Sequence, residues 1–262
     1  VEVTGIQTTS SASIVAGGAI TQTGAIAADS LVAKTLSNAG AAITLDTMVN
    51  TVSSIDLRSR NAADTANASG AITYRDSDGV NVSAIQTTGS ATITAGDVIT
   101  QTGAIVANAL TAKTLLDGGA AITLTNTSNA VASIDLRARN AADSADAAGA
   151  ISYRDSDGFS VTAVQTTSSA TLTAGNAITQ TGAILADALV VKTLNNAGAN
   201  ITLTNAANAV SSIDLRSRNA ADTANAGGTI SYRDSDGFSI TALQTTGAAS
   251  VIAGASITQT GA

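Results

Sequence analysis

The side chains able to do chemistry in this chain are Asp, Arg, Tyr and Asn, set at fixed intervals. Tyr74-Arg75-Asp76-Ser77-Asp78-Gly79 places two carboxylates at alternate positions ahead of a glycine, as in the first half of a loop that wraps a hard cation in oxygen ligands. No third acidic ligand precedes Gly79 and no glutamate follows to close the shell. The motif therefore reads as a tight turn between a strand at Ile72 and a strand at Val80, with Asp and Gly supplying the turn conformations. A second set, Asp56, Arg58 and Arg60, alternates with Ile55, Leu57 and Ser59, so the charges belong on an outward face, with Arg75 and Asp76 on the next coil. Charge pairs between adjacent coils are expected there, each worth about 0–1 kcal/mol when exposed. Asn61, Asn140 and Asn219 follow the charged strand directly and are expected to satisfy backbone groups at a corner, since Asn tolerates left-handed conformations.

An Asp/Arg surface also suits acidic sugars, as in β-helical polysaccharide-cleaving enzymes. Its regular repetition opposes that use, because catalysis needs one asymmetric cleft rather than the same group in every repeat. His and Cys are absent, which removes Ser-His-Asp and Cys-His nucleophile sets and zinc clusters. Met48 is the lone methionine, and no Gly-x-x-x-x-Gly-Lys-Ser/Thr phosphate loop occurs. No enzymatic activity, catalytic residue, metal site or cofactor is expected from this inventory. Threonine-rich phrases such as Thr21-Gln22-Thr23 and Gln86-Thr87-Thr88 suggest surface hydroxyl rows, although coils of unequal length would interrupt a flat array.

These residues recur because the whole chain repeats. Ser54-Ile55-Asp56-Leu57-Arg58 returns at Ser133 and Ser212, each time 79 residues on, and Ile20-Thr21-Gln22-Thr23-Gly24-Ala25-Ile26 returns at Ile99, Ile178 and, in part, at Ile257. A register without insertions is the mark of units stacked on their neighbours. The expected organisation is one continuous array over 1–262, with repeats at about 20–98, 99–177 and 178–256 and partial repeats at 1–19 and 257–262. Both ends fall inside repeats, so a fragment of a longer chain is expected.

Aromatic residues make up 2% of the chain and Pro and Trp are absent, so a wide core of bulky side chains is excluded. The 44% hydrophobic content, much of it in Ile-Thr-Leu phrases, argues for a narrow aliphatic core and against disorder. The net charge of −7 with no basic stripe argues against nucleic acid as a partner. No apolar run reaches the roughly 20 residues that span a bilayer.

Within a repeat the phrase Ala-Ile-Thr-Leu echoes as Ala42-Ile43-Thr44-Leu45, Ala71-Ile72-Thr73-Tyr74 and Ala91-Thr92-Ile93-Thr94. The isoleucine spacings of 29 (Ile43 to Ile72), 21 (Ile72 to Ile93) and again 29 (Ile93 to Ile122) divide the repeat into about three turns. The expected fold is all-β, a right-handed parallel β-helix, or β-solenoid, with about three coils per repeat. A string of immunoglobulin-like sandwiches is the rival, but it needs seven unlike strands and a bulkier core. The Ala-rich stretches 61–68 and 24–36 lack a sustained helical period and are read as corners and short strands.

Ala-Ile-Thr-Leu-Thr-Asn (121–126), Ile-Thr-Gln-Thr-Gly-Ala-Ile (99–105) and Tyr-Arg-Asp-Ser-Asp-Gly-Phe (153–159) resemble repeats of large bacterial surface proteins of the filamentous haemagglutinin type. That resemblance covers the whole chain and implies a right-handed parallel β-helical shaft on a bacterial cell surface. Its repeats are more uniform than is usual for that family. The expected role is a rigid extracellular spacer in an adhesin or surface fibre, reaching a host or neighbouring cell through regions outside this chain. Lateral or end-to-end self-association is expected of such a shaft. The alternative is a multivalent binding module with weak carbohydrate, calcium or protein sites in each repeat.

Overall fold

A computed structural model describes residues 1–261, and all of its regular structure is β-strand. Alternation along each strand sets which face is inward. In the strand Ile43–Arg60, Ile55, Leu57 and Ser59 are buried while Asp56, Arg58 and Arg60 keep partial exposure. A single such strand cannot bury its apolar row alone, so it stacks in parallel on equivalent rows above and below. Leu31 pairs with Ile55 and Ile55 with Val82, so like residues line up along the axis.

The strands form two long parallel ladders that face each other across a thin core. The first ladder runs through Ser11–Ala16, residues 30–36 and 54–60, Val80–Gln86, Ile99–Gln101, Ile122–Leu124, Ile151–Asp155 and onward to Ile257–Gln259. The second runs through Glu2–Val3, Thr21–Gln22, residues 43–45, Ile72–Asp76, Ser90–Ala95, residues 109–115 and 133–139, Phe159–Gln165 and onward to Ala249–Ile252. Successive strands alternate between the ladders, and both ladders continue across residues 98/99 and 177/178. The chain is a parallel β-solenoid, as its alternation and repeat predict.

The coil and the repeat are not commensurate. Register offsets are 23 residues (Ile20 to Ile43), 29 (Ile43 to Ile72) and 19 (Ile72 to Ala91). From Ser90–Ala95 to its next copy Ser169–Ala174 the chain lays down Ser90–Ala95, Ile99–Gln101, Ile105–Leu115, Ile122–Leu124, Ala130–Arg139, Ile151–Asp155 and Phe159–Gln165. That is an odd number of strands in an alternating series. Each repeat therefore contains three full coils and about half of a fourth, and each copy of a residue lies on the opposite ladder from the copy before it. Ile93 and Ile122, whose spacing reads as one coil in the sequence, lie on different ladders: Ile93 pairs with Ala112, Ile122 with Ile99 and Ile151. The spacing of 21 is likewise two residues off, because Ile72 stacks on Ala91 and Tyr74 on Ile93.

The core is a column of Ile, Leu, Val and Ala with one buried tyrosine per repeat, Tyr74, Tyr153 or Tyr232. Phe159 meets Tyr153 edge-to-face at 5.1 Å between ring centres, and Phe238 meets Tyr232 at 5.2 Å. Val80 takes the Phe place in the first copy. At the corners, backbones of adjacent coils touch. A Cβ at Gly103 would sit 1.7 Å from the carbonyl oxygen of Ser83, so only glycine fits there. Gly40, Gly119 and Gly198 hold left-handed turns at φ +76°, +80° and +83°.

Candidate functional site

Three polar assemblies recur in each repeat. The first is the corner at Asp76, where the strand Ile72–Asp76 ends against the neighbouring coil. Asp76 is buried, and its Oδ2 accepts hydrogen bonds from the Tyr74 hydroxyl at 2.5 Å and the Val52 backbone N–H at 3.0 Å. Its Oδ1 accepts the Asp78 N–H at 3.0 Å. Burial pushes the Asp76 carboxyl above its ordinary pKa, opposed by the Tyr74 hydroxyl and the two backbone donors. Burial raises the Tyr74 phenol as well, and the neighbouring Asp76 charge adds to it. Asp155 with Tyr153 repeats the arrangement. The Asp-Ser-Asp-Gly motif is thus a turn, as the sequence suggests, but Asp76 points into the core and not onto an outward face. Both of its oxygens are committed to protein donors, and among the described residues no group of three acidic side chains is placed to hold a metal ion.

The second assembly was not legible as a site. Asn50, Asn129 and Asn208 are fully buried. Asn50 Oδ1 accepts the Ile26 N–H at 2.9 Å and a short bond from Gln22 Nε2, while Nδ2 donates to the carbonyls of Leu45 at 3.0 Å and Arg75 at 2.9 Å. One amide thereby ties three successive coils. The signal was present in the sequence as an invariant Asn five residues after Leu45, Leu124 and Leu203. Asn is common in turns, and nothing local marks this one as inward.

The third assembly is a looped-out corner over residues 61–71, with copies at 140–150 and 219–229, here called the fin. Asn61 Oδ1 caps it by accepting the N–H groups of Thr65 at 2.8 Å and Ala66 at 3.2 Å, so the corner role expected of Asn61 holds. The left-handed residue is Asp64, at φ 54°, not Asn61. Asp64 takes Lys34 of the preceding coil at 2.6 Å and Arg60 at 3.0 Å, and those two cations hold its carboxyl below the ordinary range, Lys34 most strongly. Lys113, Arg139 and Asp143, then Lys192, Arg218 and Asp222, repeat the set. Asp56 instead pairs with Arg58 two residues along the same strand, at 2.5 and 2.6 Å. The expected pairing across coils is made by Lys34 and Asp64, because side chains at i and i+2 of one strand already share a face.

Arg75 makes no side-chain hydrogen bond or ion pair among the described residues. It lines an open groove of about 410 Å³ with Asp46, Thr92, Thr94, Lys113 and the fin at Ala141 and Ala142. Thr87, expected in a surface row, is instead buried, its hydroxyl donating to the Ala68 and Gly70 carbonyls. The threonines that stack in register are Thr44 on Thr73, Thr73 on Thr92 and Thr92 on Thr111, until Asp135 ends the row. Among the described residues no helix is long and apolar enough to cross a membrane.

No curated protein and no solved structure matches the chain. The family model described as repeats of unknown function (DUF5649) matches residues 69–135 and 148–213, together just over half of the chain. The two matches begin 79 residues apart, in the register of the repeat. On that match the chain belongs to this family of repeats.

Proposed function

We propose that the chain is the structural shaft of a long extracellular bacterial adhesin or surface fibre, acting as a rigid spacer. The observation that carries this reading is that both parallel ladders continue through every repeat, with each repeat braced by the same buried Tyr–Asp and Asn bridges. Stacking at about 4.8 Å per coil gives an advance of about 17 Å per repeat and about 55 Å for the chain. A cell-surface setting rests on the resemblance to filamentous haemagglutinin repeats. The alternative is a multivalent binding module, and the open groove beside Arg75 and Lys113 favours it over a calcium array, since a cation at Asp76 would have to displace three hydrogen bonds.

Small-angle scattering on chains with added repeats tests the spacer. The cross-section is expected to stay constant while length grows by about 17 Å per repeat. Titration with acidic oligosaccharides and with calcium tests the rival. Saturable binding at one site per repeat, lost in Arg75→Ala, Arg154→Ala and Arg233→Ala together, would replace the spacer with a binding role.

A further inference from the structure

The half-turn between repeats gives the rod two edges, and the same sequence positions visit them alternately. On one edge, where the chain passes from the second ladder to the first, lie Asp29, Asp78, Asp97, Asp117, Asp187 and Asp236, all exposed and none in an ion pair. On the opposite edge the equivalents of Asp29, Asp97 and Asp117 are amides: Asn108 for Asp29, Asn176 for Asp97, and Asn38 and Asn196 for Asp117. Asp187 restores the acid when that position returns to the first edge. The fin follows the rule too, with Asp146 on the acidic edge and Asn67 and Asn225 opposite. Asp157 is the one unpaired acid on the amide edge among the described residues.

Local structure does not account for this alternation. Asn38, Asp117 and Asn196 each accept the same bond through Oδ1, from the N–H of Ala62, Ala141 and Ala220, all at 3.0 Å. Asp97 and Asn176 likewise each accept the N–H of the next residue. Acid and amide do the same work in the fold and differ only in charge, so what selects between them lies outside the chain's own packing. The amide edge also carries an open groove of about 400 Å³, lined mainly by Val106, Ala107, Asn108, Ala130 and Val131, with Asp157 as its one charged group. The same place on the acidic edge has Ser53 and Ser211 for Ala132, and Asp29 and Asp187 for Asn108.

We infer that the amide edge is an interface between two copies of this chain, related by a two-fold axis so that the acidic edges face outward. Interfaces shed unpaired charge from their centre, and like-charged acidic edges repel one another, which leaves the amide edge as the side on which two rods meet. An edge about 55 Å long and, at the spacing of two packed sheets, about 10 Å across offers about 550 Å² per copy, enough for a weak specific interface. Two fins, at 61–71 and 219–229, project from this edge about 34 Å apart along the axis.

The test is sedimentation equilibrium of the whole chain, of a triple variant Asn108→Asp, Asn176→Asp, Asn196→Asp, and of a control triple Asp29→Asn, Asp97→Asn, Asp187→Asn. All six positions are exposed and keep their acceptor oxygen, and far-ultraviolet circular dichroism checks that each variant folds. The parent is expected to dimerise and the first triple to weaken dimerisation at least about 10-fold, less so at high salt, where charges are screened. The control triple is expected to dimerise at least as well as the parent. A parent that stays monomeric at every concentration overturns the inference, as does a first triple that dimerises like the parent or a control that loses the dimer. The result is independent of the spacer reading, which stands or falls on how length scales with repeat number.

Discussion

At the scale of single residues, the solenoid depends on a few buried polar groups whose partners lie on other coils. Replacing Asn129 by Ala removes the acceptor for the Ile105 N–H and the donor to the Leu124 and Arg154 carbonyls. Stranding buried backbone groups costs about 1–3 kcal/mol each, so Asn129→Ala is expected to lower unfolding free energy by about 3 kcal/mol in chemical denaturation. Asn126→Ala, at an exposed turn, is expected to cost under about 1 kcal/mol. The Asp residues divide by sign. Asp76 and Asp155 have raised pKa values, so their contribution to stability is greatest below the ordinary carboxylate value of 3.8 and falls as pH rises through their folded values. Asp64, Asp143 and Asp222 are held below 3.8, so the fin contacts they make are present at neutral pH and are lost as pH falls through the folded values. Carboxyl carbon shifts followed by NMR are expected to show Asp64, Asp143 and Asp222 titrating below 3.8 and Asp76 and Asp155 above it. A common midpoint for both groups would contradict the assigned geometry.

At the scale of elements, what limits substitution is how closely neighbouring coils approach. Gly103 and Gly118 look alike in the sequence, yet a methyl group at Gly103 meets the Ser83 carbonyl while one at Gly118 meets nothing within 4 Å. Gly103→Ala is expected to destabilise by about 3 kcal/mol or to unfold its coil locally, and Gly118→Ala to be within about 0.5 kcal/mol of neutral. Thermal melts of the two variants measure the difference directly. Strand positions were legible beforehand because period-2 alternation at Ile55-Asp56-Leu57-Arg58 and Ile72-Thr73-Tyr74-Arg75 fixes which side chains turn inward, whatever the coil size. Corner content was less legible. The direction of Asp76 and Asn50 depends on backbone donors from other coils, such as Val52 for Asp76 and Ile26 for Asn50, and sequence spacing carries no trace of those partners. The fin shows the same limit: its capping Asn61 is local and was readable, while the Lys34–Asp64 pair spans 30 residues and was not.

At the scale of the whole molecule, the mismatch between repeat and coil decides which way each copy faces. The sequence displays a 79-residue period, but an odd number of strands in two alternating ladders makes the structural period twice that. The echo of Ala-Ile-Thr-Leu suggested three turns because it marks inward strands on either ladder without distinguishing them. Once the ladders are separated, the two edges become chemically different surfaces, and changing the number of repeats changes orientation as well as length. Deleting residues 99–177 joins Val98 to Ile178, which copies Ile99, so the ladders are expected to close without strain. Everything after the junction then moves about 17 Å nearer the start and turns by about half a revolution. A spin label at Asp187→Cys, measured against one at Asp29→Cys in a chain with no native cysteine, reads both effects. In the parent the two labels share the acidic edge, seven coils or about 34 Å apart along the axis. In the deleted chain they lie on opposite edges, only about 17 Å apart along the axis, with the width of the rod between them. Labels that remained on one edge after the deletion would require a whole number of coils per repeat, and the alternation of acid and amide along the rod would lose its physical cause.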